Sequence, residues 1–159
     1  MSVAFTKESD AEAVAANLPD RPIPAHANLV TPRGLALIEA ELAAARAAYS
    51  AAQAGDSISS DRTAMARATR DLRYWSARRA SAQLVEPREQ DGTIAFGNTV
   101  TFQRDDGRTQ VYAIVGDDEA DPAAGSVSYV APLARALIGK SIGDVVTVAG
   151  QDAEIIAIA

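Results

Sequence analysis

Two apolar seams at heptad spacing, followed by an abrupt change to strict alternation, constrain this chain more than any other feature. Leu35, Ile38, Leu42, Ala45, Tyr49 and Ala52 recur at steps of 3, 4, 3, 4 and 3. Met65, Ala68, Leu72, Trp75, Arg79 and Ala82 repeat the pattern. Steps of this kind put every named residue on one stripe of a helix, and Ala at the flanking positions keeps helix propensity high. Thr31 is a natural N-cap, and Pro32 suits the first helical position. Gly55-Asp56-Ser57-Ile58-Ser59-Ser60-Asp61 stops the first seam and supplies a cap for the second. Two seams joined by a short polar turn predict an antiparallel coiled-coil hairpin over 31–86, with its tip near 55–61. The 22 residues from Arg33 to Ala54 reach about 33 Å. Trp75 and Tyr49 are read as packing between the arms.

The charges divide the chain at the same places as the seams. Residues 1–30 are net −2, residues 31–86 net +2 and residues 87–159 net −6. Eight of the ten glycines follow residue 90, so a second unit of different type is expected there. Residues 1–30 are predicted to be a polar leader, largely extended or disordered, since Pro19, Pro22 and Pro24 break any helix beyond Ala11–Ala16. His26 lies there with no nameable partner and reads as a surface or turn residue. The absence of Cys excludes disulfides, thiolate metal sites and a Cys nucleophile, and one His excludes an imidazole cluster. The overall charge of −6 argues against adsorption of the whole chain to nucleic acid or an anionic membrane. No apolar run approaches the roughly 18 residues that span a bilayer, and the N-terminus is too polar for a secretory signal. A soluble, cytoplasmic, monomeric protein is the expectation.

Six arginines, Arg62, Arg67, Arg70, Arg73, Arg78 and Arg79, fall within 18 residues of the second arm, opposed by Asp71 alone. Too few acids lie nearby for helix-internal pairing to absorb Arg67, Arg70, Arg73 and Arg78. Such a run is either a solvated face or a surface that docks into an acidic channel or along a nucleic-acid backbone. Both readings stay open at this level.

After Glu86-Pro87 a linker over 87–91 leads to a unit over 92–159. Thr99–Gln103 and Gln110–Val115 alternate on either side of Asp105-Asp106-Gly107, a hairpin signal. Gly116–Pro122 is an acidic loop. Val127–Val130 reads as a strand, Pro132–Leu137 as a short helix, and Val145–Val148 with Ala153–Ile158 as closing strands. The expected class is α+β, with one helix across a small antiparallel sheet.

These residues together resemble the GreA/GreB transcript-cleavage factors of bacterial RNA polymerase. The resemblance covers about residues 31–159 and rests on four stretches. Thr31-Pro-Arg-Gly-Leu-Ala-Leu-Ile-Glu-Ala-Glu-Leu42 is similar to the opening of that family's first arm. Phe96-Gly-Asn-Thr-Val100 and Tyr112-Ala-Ile-Val-Gly-Asp-Asp-Glu-Ala-Asp121 resemble the start of its C-terminal domain. Val127–Lys140 followed by Gly143-Asp144 resembles its most distinctive segment. The resemblance implies a coiled-coil hairpin joined to an FKBP-like domain. That domain would grip the rim of the polymerase secondary channel while the hairpin points down it. Acidic tip residues would then help hold a Mg²⁺ of the polymerase active site during hydrolysis of backtracked RNA, for which carboxylates are suitable hard ligands. The chain would not itself be an enzyme, would hold no metal or cofactor alone, and would meet RNA or DNA of the elongation complex only indirectly.

By that resemblance Asp56 matches a tip acid, with Asp61 the candidate substitute for a second, and Ser128, Pro132, Leu133 and Arg135 are the polymerase-contacting residues; Arg67, Arg70 and Arg73 join them as candidates from the arginine run on the arm. Ser59 stands where the family has Glu, and Asp61 doubles as an N-cap. Both arms are several residues shorter than the family's, and a carboxylate a few ångströms short cannot reach a metal held at about 2.0–2.1 Å. Ala131 replaces the Ser that usually precedes the Pro. A non-cleaving occupant of the channel, competing with active factors, is therefore an alternative. Of another class is a peptidyl-prolyl isomerase, for which Phe96, Phe102, Tyr112 and Tyr129 are a thin aromatic lining. Leu133 also has a plain packing role to fill, and Gly139, Gly143 and Asp144 read as turn residues. Asp117, Asp118, Glu119 and Asp121 lack the periodicity of a calcium loop.

Overall fold

The computed structural model describes residues 18–55 and 58–159, excepting the side chains of 58–61. The chain divides into two compact units, one of residues up to 27 with 38–81, the other of 28–37 with 82–159.

The first unit is a helical hairpin. Helix α1 runs Pro32–Gln53 and α2 runs Ile58–Ser81. Thr31 caps α1 as its sequence suggests: the Gly34 amide donates to Thr31 Oγ1 at 2.9 Å. The α1 seam is buried at Ile38, Leu42 and Ala45, with Tyr49 and Ala52 half-buried. On α2 the seam is buried at Ala68 and Trp75, then departs from the heptad reading. Arg78, 1% exposed, takes the last inward place, while Arg79 lies outside with Nε 3.0 Å from Glu39 Oε1 on α1. From Trp75, steps of 3 and of 4 both stay near one helix face, so the spacing alone does not distinguish 78 from 79; the fold takes Arg78 inward. The Arg79–Glu39 pair joins the end of α2 to the beginning of α1, as expected for antiparallel arms linked by a short turn.

In the second unit a two-residue strand β1 (Leu29–Val30) pairs in parallel with β2 (Gln83–Leu84). The Gln83 amide donates to Asn28 O at 2.8 Å and the Val85 amide to Val30 O at 2.9 Å. Strands this short have no period to read, so nothing in the sequence announces them. The main sheet comprises β3 (Thr99–Arg104), β4 (Thr109–Val115), β5 (Ser126–Ser128), β6 (Val145–Val148) and β7 (Gln151–Ile158), in the order β5-β4-β3-β7-β6. The β3–β4, β3–β7 and β6–β7 pairs are antiparallel, but β4 and β5 run parallel, so the sheet is mixed where the sequence predicts a wholly antiparallel one. The reason lies in the connection. A two-residue turn would force reversal, whereas the loop over 116–125, with its 3-10 turn Pro122–Ala124, brings the chain back beside Ala113, so that β5 runs in the same direction along the last three residues of β4.

Helix α3 (Pro132–Leu137) covers one face of the sheet. Alternate residues of the strands point at it: Val100 and Phe102 on β3, Val146 and Val148 on β6, Ala153 and Ile155 on β7. With Ile94, Ile114, Val127, Ala134 and Leu137 they form one apolar core, and Phe102, Ile114, Ala134, Leu137 and Ile155 have no solvent exposure at all. Among the described residues no helix is long and apolar enough to cross a membrane.

Candidate functional site

The residues singled out in the second unit gather around the corner between β5 and α3. The Tyr129 amide donates to Val115 O at 2.9 Å, which ends β5 in the parallel ladder. Ser128 faces the acidic loop, and its hydroxyl donates to Asp117 Oδ1 at 2.6 Å. The Ala131 amide donates to Ser128 O at 2.9 Å, turning the chain into α3. Pro132 opens α3 and is exposed, as is Arg135 one turn on. Leu133 is half-buried against the sheet core and so packs, whatever else it does. The corner thus presents Pro132 and Arg135 outward, with Ser128 held beneath by Asp117. Tyr129 packs edge-on against Phe96, ring centroids 5.6 Å apart.

Ala131 occupies the N-cap position with extended backbone and makes no side-chain cap. A Ser or Thr there would accept an amide hydrogen bond of the first turn; Ala leaves that turn uncapped. Pro132 has no amide to satisfy, which limits the damage.

The acidic loop does conformational work. The Thr31 hydroxyl donates to Glu119 Oε2 at 2.6 Å, so a carboxylate from 88 residues away sits at the N-terminus of α1, where the helix dipole favours negative charge. A Cβ on Gly34 would lie 2.8 Å from Glu119 Oε2, so a larger residue there would push this carboxylate aside. The loop's base is tighter: a Cβ on Gly116 would clash with the backbone carbonyl of Leu29, which cannot step aside as a side chain can, so this approach needs glycine. The Ser126 hydroxyl accepts from the Asp121 amide at 2.8 Å. Among the described residues no group of three acidic or imidazole side chains is placed to hold a metal ion. Gly139 and Gly143 are in the left-handed region, and Asp144 Oδ2 accepts from the Ser141 amide at 2.8 Å. The hairpin turn between β3 and β4 is held similarly: Asp106 accepts from the amide and guanidinium of Arg108, which hold its carboxyl below the usual carboxylate range. This is turn chemistry at an exposed site.

On the hairpin, Asp56 lies outside the described residues, and Asp61 and Ser59 lie on α2 but their side chains are likewise outside. The arginine run is distributed in a way the sequence does not reveal. Arg78 is buried and Arg79 pairs with α1. Arg73 meets Asp20 of the leader at 3.2 Å, and Arg70 lies 3.4 Å from Asp71. Arg67 is exposed beside a cleft of about 550 Å³ between the arms, lined by Ala44, Ala48, Ala64, Ala68 and Trp75 among others. Arg21, which the sequence leaves unremarked, stacks on Tyr74 with its guanidinium carbon 3.8 Å from the ring centre. His26 is half-buried in a bend of the same segment.

Comparison with known proteins accounts for the second unit. Residues 81–159 match the family described as transcription elongation factor, GreA/GreB, C-terminal. The transcription elongation factor GreA of Ralstonia nicotianae is 47% identical over 78 residues, 47% of this chain and 49% of that protein. GreB of Neisseria meningitidis serogroup B is 44% identical over 77 residues, 47% of each chain. GreA of Desulfovibrio desulfuricans is 37% identical over 97 residues, 60% of this chain and 59% of that one. The solved structure of GreA factor homolog 1 from Thermus thermophilus covers 84% of this chain at 17% identity with a TM-score of 0.40, too loose a likeness to carry an argument. Residues 81–159 thus match the C-terminal domain of GreA/GreB transcription elongation factors, in a family model and in curated relatives alike. It spans about half the length of the curated relatives it matches.

Proposed function

We propose that this chain binds bacterial RNA polymerase at the secondary channel and regulates transcription elongation there, acting on the polymerase's own active site and not as an enzyme itself. The observation that supports this best is the family match over 81–159, which includes the whole β5–α3 corner. In this reading Pro132 and Arg135 contact the polymerase, Ser128 and Leu133 fix the corner that presents them, and Arg67, Arg70 and Arg73 line the arm that enters the channel.

Within that role we favour an occupant that does not stimulate transcript cleavage. Ser59 stands where the family carries a tip Glu, and α1 has 22 residues, about 33 Å of helix. A tip left with Asp56 and Asp61 then has less to offer the polymerase's Mg²⁺, for which a hard oxygen donor must sit within about 2.1 Å.

The test is RNA cleavage in stalled, backtracked elongation complexes, with binding measured in parallel. Binding without cleavage is the expected result. Cleavage that Asp56→Asn abolishes would instead make this a working cleavage factor with one sufficient tip acid. Absence of binding would remove the reading altogether, and turnover of a proline-containing model peptide would favour the isomerase class.

A further inference from the structure

The leader residues Leu18–Arg21 lie along α2, on the face that carries Arg70, Arg73 and Tyr74. Three contacts hold them there. Asp20 Oδ1 is 3.2 Å from Arg73 Nη1. Arg21 Nη1 is 3.5 Å from Asp71 Oδ1, and its guanidinium lies over Tyr74 at 3.8 Å and within 5.2 Å of the Trp75 ring centre. The Asp20–Arg73 pair is about two-thirds exposed on both sides. Such pairs are individually weak and are screened by salt. They persist here because the segment is tethered: it runs directly into Asn28–Val30, which is hydrogen-bonded to Gln83 and Val85.

The fit under the leader is incomplete. A cavity of about 240 Å³ remains between Leu18 and Asp20 on one side and Ala66, Thr69, Arg70 and Arg73 on the other. Arg70 Nε, itself buried, finds no hydrogen-bond acceptor among the described residues; Asp71 Oδ1 at 3.4 Å is within ion-pair reach but does not satisfy it. A donor left in this state favours an occupant that brings an acceptor.

From these observations we propose that Leu18–Arg21 is a displaceable self-ligand. It covers the arginine face of α2, and an acidic segment of a protein partner takes its place, its carboxylates on Arg73 and on Arg70 Nε. The present occupant favours protein over nucleic acid, because the group on Arg73 is a single carboxylate of an extended peptide. The inference rests on the proposed docking of this face to polymerase and adds its regulation: the leader competes with the partner, and ionic strength sets the balance.

Two measurements test it on the full chain. Trp75 is the only tryptophan, so its emission reports on the adjoining Arg21 without any partner present. Raising salt from about 0.05 to 1 M should carry the wild-type emission to that of Arg21→Ala, which should itself be flat. A wild-type signal unmoved by salt and distinct from the variant overturns a displaceable leader. The second measurement is affinity for purified bacterial RNA polymerase. Asp20→Asn with Arg21→Ala should bind about three- to tenfold more tightly, the scale of two exposed charge contacts, and the gain should vanish in an Arg70→Gln, Arg73→Gln background. No gain, with binding still weakened by Arg70→Gln and Arg73→Gln, overturns the competition and leaves the docking face intact. If those two Gln substitutions leave affinity unchanged, the docking reading itself falls. A gain seen for an oligoribonucleotide and not for polymerase would make the face a phosphate site and overturn the assigned partner.

Discussion

The two units of this chain are held together by different means. Of the eight largest side chains buried below 2% exposure, six (Phe102, Ile94, Ile114, Leu137, Ile155 and Val100) lie in the sheet unit, and two, Ile38 and Arg78, lie in the hairpin. The sheet unit is a packed apolar core. The hairpin meets along alanines and adds charge contacts at its margins, and the cleft of about 550 Å³ between its arms shows how little alanine fills. Burial of a large apolar side chain contributes about 1.5–3 kcal/mol, an exposed ion pair less than about 1. A core holds one geometry; small residues and surface charges leave a helical arm whose contacts can be exchanged.

That contrast can be broken most severely at Phe102. Phe102→Ala should destabilise the sheet unit by about 3–5 kcal/mol, since the residue is fully buried and stacked on Tyr112. Chemical denaturation followed by far-ultraviolet circular dichroism reads the loss; a change below about 1 kcal/mol would show that the core is not what holds this unit. Thr31→Ala should cost about 1–2 kcal/mol, because it removes the cap of α1 and the hydroxyl bonded to Glu119. The same denaturation curve checks it, and Thr31→Ser should recover most of the loss. Ala131→Ser works in the opposite direction and should stabilise the sheet unit by about 0.5–1 kcal/mol through a new cap on α3. An unchanged midpoint would mean that the corner cannot orient the hydroxyl. The smallest effect is expected in the hairpin. A double-mutant cycle of Glu39→Gln and Arg79→Gln should return a coupling of about 0.2–1 kcal/mol that shrinks with salt. A coupling above about 2 kcal/mol would erase the contrast between the units.

The legibility of the sequence follows the range of each interaction. The seams of 35–52, the cap at Thr31, the Asp-Gly hairpin turn and the Pro-opened helix at 132 are local signals, and the structure repeats them nearly residue for residue. The outward Pro132 and Arg135 and the packed Leu133 follow from the same helical period. Arg79 stands on the heptad reading where the structure buries Arg78, because steps of 3 and 4 from Trp75 are both near one helix face and a single arginine carries no sign of burial. The parallel β4–β5 pair was missed because a three-residue strand does not encode its direction. Arg21 went unnoticed because an arginine in a proline-rich stretch has no local reason to matter.

By itself the sequence determined the kinds of element and their order, since hydrophobic period, capping and turn chemistry act over a few residues. It also carried the resemblance that located the β5–α3 corner. Only the tertiary structure decided which charges are spent internally. Glu119 reaches Thr31 across 88 residues, Asp20 reaches Arg73 across 53 and Arg79 reaches Glu39 across 40. A charge pairs with whatever the fold brings within a few ångströms, and that distance is set by packing, not by position along the chain.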